Sequence, residues 1–274
     1  MDNIRQAIER AKASPVSASR AAPEPARSQG REVFGDSLGE RSRGYDAELD
    51  PALLQSHRIV AYDGKDVRSR PFDMLRTEIL QSMDIKGWKT LAVTSPTPSC
   101  GKTFTAVNLA LSMSRQTQRQ VLLADLDLRR PQVSNCLGIK CKEGGLSGVV
   151  EGRIELQDAI VNARIGDSRL EILPTVPAAN SSDVVGSAGF GTLLERLTRQ
   201  HSQSRIVILD LPPVLAGHDV ISTLPYVDCV LLVAAVGTTK ASEIKECNKY
   251  LEGADVVRFV LNKAAETARP YLYY

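Results

Sequence analysis

The sequence predicts an α/β fold, a mostly parallel central sheet with helices on both faces. Three observations carry this. Short apolar runs suited to buried strands alternate with longer segments of helical period. One such run, Leu91 to Thr94, leads into a loop ending Gly101-Lys102-Thr103. Two others end in aspartate, at Asp125 and Asp210, where ligands of open parallel sheets bind.

In chain order, Met1 to Ala13 places Ile4, Ala7, Ile8 and Ala11 on one helical face behind Asp2, a short amphipathic helix. Ser, Ala and Pro dominate residues 14–31, and the mixed-charge stretch to Asp50 has almost no apolar pattern. Residues 1–52 therefore read as a short helix and a flexible tether. Folded sequence is expected from near Leu53, with Pro71 opening a helix that carries Phe72, Leu75, Ile79 and Leu80. Strands are expected at 91–94, 120–125, 170–174, 205–210, 228–235 and 257–261, with helices near 103–114, 187–202 and 238–252. This gives a domain over 53–263 and a tyrosine-rich tail over 264–274.

The 274 residues are 43% hydrophobic and carry 34 basic against 32 acidic residues, a formal net charge of +2. That balance gives no drive toward nucleic acid, and no nucleic-acid partner is expected. The longest apolar run, Cys229 to Val236, is far too short to span a bilayer, and the N-terminus has no apolar signal core, so a cytoplasmic protein is expected. Five cysteines without a Cys-x-x-Cys pair suit a reducing compartment and no structural metal.

The loop is of the P-loop NTPase type. Its chemistry needs backbone N–H groups curled around phosphates at a helix N-terminus, a lysine at the β/γ-phosphates and a hydroxyl on Mg²⁺. Lys102 and Thr103 fit the last two roles. The full pattern has glycine where this chain has Pro96. Strands ending in Asp125-Leu-Asp127 and in Asp210 bring carboxylates toward one Mg·ATP. Asp210 suits the metal. Asp125 and Asp127 cannot face the same way in an extended chain, so one is free to touch metal while the other takes a proton.

Together, Thr94 to Phe104, Leu123 to Pro131 and Ile208 to Pro213 resemble the motifs of the bacterial tyrosine kinases (BY-kinases) of capsule and exopolysaccharide systems, a branch of the P-loop ATPases. The resemblance runs from about Leu53 to Tyr274, and the missing first glycine is shared with that family. It implies ATP and Mg²⁺ as cofactors and ATP contacts from Pro98, Ser99, Cys100, Gly101, Lys102, Thr103 and Phe104, with Asn262 at the adenine. It also implies metal binding by Thr103, Asp127 and Asp210, and catalysis by Lys102 with Asp125 or Asp127 as base. The end of the chain, Pro270-Tyr271-Leu272-Tyr273-Tyr274, corresponds to the family's autophosphorylated tyrosine cluster.

The implied function is a protein tyrosine autokinase that regulates polysaccharide polymerisation and export. Its implied partners are a membrane polysaccharide co-polymerase that recruits it to the inner face of the cytoplasmic membrane, further copies of itself, and a cognate tyrosine phosphatase. The family's ring-forming Glu-x-x-Arg-x-x-Arg helix reads here as Arg70, Asp73 and Arg76, either a charge-swapped pair or a solvated face. Arg129 and Arg130 suit phosphate or a phosphotyrosine, or else pairing with surface acids. Two other functions stay open: a partitioning or positioning ATPase, whose extra loop lysine is replaced here by Thr97, and a non-catalytic nucleotide-gated regulator.

Overall fold

A computed structural model describes residues 44–116, 119–199 and 205–264. The amphipathic segment at residues 1–13, most of the expected tether, and Tyr271, Tyr273 and Tyr274 lie outside the described residues.

In chain order the elements are β1 (Tyr45–Glu48), α1 (Pro51–Ser56), α2 (Arg70–Lys86), β2 (Thr90–Thr94), α3 (Lys102–Gln116), β3 (Gln120–Asp125), α4 (Val133–Leu137), α5 (Leu146–Val150), α6 (Leu156–Ala159), β4 (Val161–Ile165), β5 (Ser168–Leu173), α7 (Ser181–Val185), α8 (Ala188–Arg199), β6 (Arg205–Asp210), α9 (Asp219–Thr223), β7 (Cys229–Ala235), α10 (Ala241–Tyr250) and β8 (Val256–Asn262). The strands form one sheet in the order β1-β4-β5-β3-β6-β2-β7-β8. All pairings are parallel except β4 with β5.

Alternation along the central strands explains the two-sided packing. Leu91, Val93, Leu123, Ile206 and Ile208 face α2 and α3 together with Ile79, Met83, Leu109 and Met113. Ala92, Leu122, Ala124, Val207 and Leu209 face the opposite way, onto Phe190, Leu193 and Leu197 of α8. Strands covered on both faces have no room for polar residues, which is why they read as continuous apolar runs.

The order begins before Leu53. β1 pairs with β4, and Asp50 caps α1 by accepting the Ala52 N–H at 2.8 Å. Tyr45 and Ala47 pack on the core while the alternate residues are acidic, so a four-residue edge strand resembles a charged linker in sequence. β4 and β5 form a hairpin through Gly166, at φ 54°.

The altered Arg70, Asp73, Arg76 helix does not present a charge-swapped pair. Arg76 is buried and turns inward, its Nη1 2.8 Å from Asp73 Oδ1 and 2.9 Å from Ser112 Oγ. Asp73 also accepts from Ser112 Oγ at 2.7 Å and pairs with Arg115. Burial opposes the charge on Asp73, but the bonds from Ser112 and Arg115 hold its carboxyl below the usual range. The network clasps α2 to α3, and Arg70 alone of the three is exposed.

Candidate functional site

The parallel arrangement brings the carboxyl ends of β2, β3 and β6 side by side. Val93 pairs with Asp210, and Asp210 with Asp125, so the loop after β2 emerges beside both aspartates. That loop turns through two residues of positive φ, Ser99 at 64° and Gly101 at 92°. α3 starts at Lys102, aiming its free N–H groups into the turn. Gly101 has a steric reason as well, since a Cβ there would lie 2.1 Å from Asn262 Nδ2.

Lys102 sits between two carboxylates, its Nζ 2.9 Å from Asp127 Oδ2 and 3.5 Å from Asp210 Oδ1. Burial works against the ammonium, yet Asp210 and Asp127 hold its pKa above the ordinary value. Thr103 Oγ1 donates to Asp210 Oδ2 at 2.6 Å, while Asp210 Oδ1 is buried with no hydrogen-bond partner. Burial raises the Asp210 carboxyl, against the pull of Lys102 and Thr103.

Asp125 and Asp127 divide as their spacing requires. Asp125 is fully buried and accepts the N–H groups of Asp127 at 3.1 Å and of Gln132 and Val133 at 3.0 Å, so it shapes the chain between β3 and α4. Burial, then the charge of Asp210, pushes its carboxyl up to about 8. Asp127 lies on the wall of a cavity of about 430 Å³, with Pro98, Ser99, Gly101, Lys102, Thr103 and Phe104.

The remaining expected contacts differ in kind. Cys100 is buried, its Sγ 3.4 Å from Thr239 Oγ1 and 3.7 Å from Thr97 Oγ1 of the loop itself. Asn262, at the end of β8, donates from Nδ2 to Cys100 O at 2.9 Å and so braces the loop. Arg129, on the cavity wall, pairs with an acid: its Nε is 3.3 Å from Asp219 Oδ2, and its Nη1 donates to Ala216 O at 3.3 Å. The pairing ties the segment after β3 to the segment after β6. No sequence pattern marks it, because the partners are 90 residues apart.

Besides the Lys102 ammonium at 3.5 Å, the groups around Asp210 Oδ1 are a hydroxyl and carboxylates, the hard oxygen set that Mg²⁺ prefers. Among the described residues no cluster of three or more His, Cys, Asp or Glu forms a metal cage.

Residues 91–272 match the family described as the CobQ/CobB/MinD/ParA nucleotide binding domain. The chain belongs to this family. Within it, the chain is similar to the tyrosine-protein kinase wzc of Salmonella typhimurium, 30% identical over 222 residues that make up 80% of this chain and 30% of that one. The chain thus spans under a third of that relative. It is also similar to the tyrosine-protein kinase YwqD of Bacillus subtilis, 28% identical over 81% of this chain and 92% of the relative. Among solved structures, the kinase domain of the Escherichia coli tyrosine kinase ETK superposes with a TM-score of 0.65 at 27% identity, covering 82% of this nucleotide-binding chain and 99% of that one. No helix among the described residues is long and apolar enough to cross a membrane.

Proposed function

We propose that this nucleotide-binding domain is an ATP-dependent protein tyrosine kinase that phosphorylates the tyrosines ending its own chain. The observation that carries the proposal is the place of Asp127: a carboxylate on the cavity wall, 2.9 Å from the loop lysine and beside the Thr103–Asp210 pair. A nucleotide site alone needs no second acid there, whereas transfer to a phenol needs an acceptor for its proton. The names of the similar kinases and the tail Tyr271, Tyr273 and Tyr274 support the same reading.

In this reading the loop N–H groups and Lys102 hold the β/γ-phosphates of ATP, with Pro98, Ser99 and Phe104 as cavity wall. Thr103 and Asp210 would hold Mg²⁺, with Asp127 next to them. When bound, the ion neutralises charge on the transferring phosphoryl group. As ATP enters, Lys102 exchanges Asp127 for phosphate, and the freed Asp127 carboxylate accepts the tyrosine proton. Asp125 acts from behind, fixing the backbone that carries Asp127. The wider role, regulation of polysaccharide export with a membrane co-polymerase at the inner membrane face and a phosphatase to reset it, belongs to the same proposal.

Incubation of the whole chain with labelled Mg·ATP, followed by mass spectrometry, tests it. Label on Tyr271, Tyr273 or Tyr274 that vanishes in Lys102→Met and Asp127→Ala is expected. Free phosphate without phosphotyrosine would point instead to a positioning-type ATPase, and ATP binding without any product to a nucleotide-gated regulator.

A further inference from the structure

Next to the nucleotide cavity runs a second, open groove of about 820 Å³, which shares Arg129, Arg130 and Gln132 with it. The groove also takes in Lys140, Val176 and Pro177, and no acidic side chain lines it. Arg129 is occupied by Asp219, but the side chains of Arg130 and Lys140 have no carboxylate partner among the described residues. The groove wall also includes Ser134, whose Oγ is buried without a hydrogen-bond partner. Two unpaired cations and an unused hydroxyl along an otherwise neutral groove call for an anion with several acceptor oxygens.

The position says which anion. The N–H of Arg130 donates to Asp127 Oδ1 at 3.0 Å, so the cationic groove opens where an acceptor tyrosine would meet Asp127. In the tail sequence Tyr271 and Tyr273 are two residues apart, a spacing that an extended peptide would put on one face at ~6.6 Å. A phosphorylated tyrosine carries about −1.5 to −2 charges at neutral pH.

We propose that this groove binds a phosphotyrosine of this chain's C-terminal tail sequence while a neighbouring tyrosine of that tail is presented at Asp127. One phosphorylation then favours the next. The inference rests on the kinase reading for its meaning, but not for its test.

The test uses the full chain with Tyr271, Tyr273 and Tyr274 changed to Phe, so that added peptide is the sole source of tail phosphotyrosine. Fluorescence anisotropy with a synthetic peptide of residues 264–274 compares phosphate on Tyr273 with none. The phosphopeptide binds at least tenfold tighter, and Lys140→Glu and Arg130→Ala each abolish the difference. Lys140 lies outside the nucleotide cavity, so Lys140→Glu leaves the affinity for a non-hydrolysable ATP analogue unchanged. Equal binding of the two peptides overturns the proposal, as does a preference that survives both substitutions. Displacement of the phosphopeptide by inorganic phosphate at matching concentration also overturns it. The kinase reading fails on a separate result, the absence of label on tyrosine from labelled ATP, and the peptide comparison decides the groove either way.

Discussion

Asp125 and Asp210 are register partners at the ends of the neighbouring parallel strands β3 and β6, and Lys102 Nζ lies 3.5 Å from Asp210 Oδ1. Two strand-ending aspartates in adjacent register are an unfavourable pair until a cation joins them. The loop supplies one in Lys102, beside the Asp210 oxygen that takes no hydrogen bond.

Removing that lysine should therefore affect stability as well as binding. Lys102→Met leaves Asp127 and Asp210 buried without their cation, and a loss on the order of 3 kcal/mol is expected in urea unfolding. The double variant Lys102→Met/Asp210→Asn should recover most of that loss while still showing no thermal shift with Mg·ATP. No recovery in the double variant would mean that the carboxylates do not strain the free protein.

The two aspartates of the first motif should separate by phenotype. Asp127→Asn keeps the fold and lowers phosphotyrosine formation by at least ~100-fold, the range of a lost proton acceptor. Asp125→Ala orphans three backbone N–H groups, for which unfolding should show a loss of about 3 kcal/mol. If Asp125→Ala unfolds like the natural chain yet abolishes transfer, the roles are reversed.

At the helix that departs from the ring-forming pattern, Arg76→Ala should reduce stability by about 2 kcal/mol, because charged hydrogen bonds to Asp73 and Ser112 are lost inside the α2–α3 contact. Arg70→Ala should change it by less than about 0.5 kcal/mol, as for most exposed positions. Chemical denaturation of both variants decides it.

Burial pushes four thiols up from 9.0, to about 11 for Cys136, Cys141 and Cys247 and to about 12 for Cys229. At pH 8 these groups should react with iodoacetamide far more slowly in the native protein than in urea. The sign for stability follows from linkage. Between pH 9 and 11 the unfolded chain releases thiol protons that the folded chain keeps, so stability should fall as pH rises through that window. Stability that rises there would exclude these values.

Much of this arrangement was legible in sequence because a strand buried on both faces must be apolar throughout. The strands ending at Thr94, Asp125, Asp210 and Ala235 announce themselves that way. β4 does not: Val161, Ala163 and Ile165 alternate with Asn162 and Arg164, a period of two that apolar runs alone do not reveal. Gly166-Asp167 after it was the available turn signal. Within the site, the motif spacing located Lys102, Thr103, Asp127 and Asp210, but the structural duty of Asp125 depends on where the Gln132 and Val133 amides fold back. Pairing of Arg129 with Asp219, and of Arg76 with Ser112, joins segments far apart in the chain, which no local pattern encodes.

The bond from Asn262 to Cys100 ties the end of β8 to the phosphate loop, and Tyr271 follows nine residues later. Nine residues span at most ~30 Å at ~3.3 Å per residue, so the tyrosines proposed as acceptors are joined by a short reach to the rim of the site proposed to modify them. Confined to a sphere of that radius, one tail amounts to a local concentration on the order of 10 mM. For the proposed kinase, chain length rather than a tight grip on the unmodified acceptor would set how often a tyrosine meets the cavity.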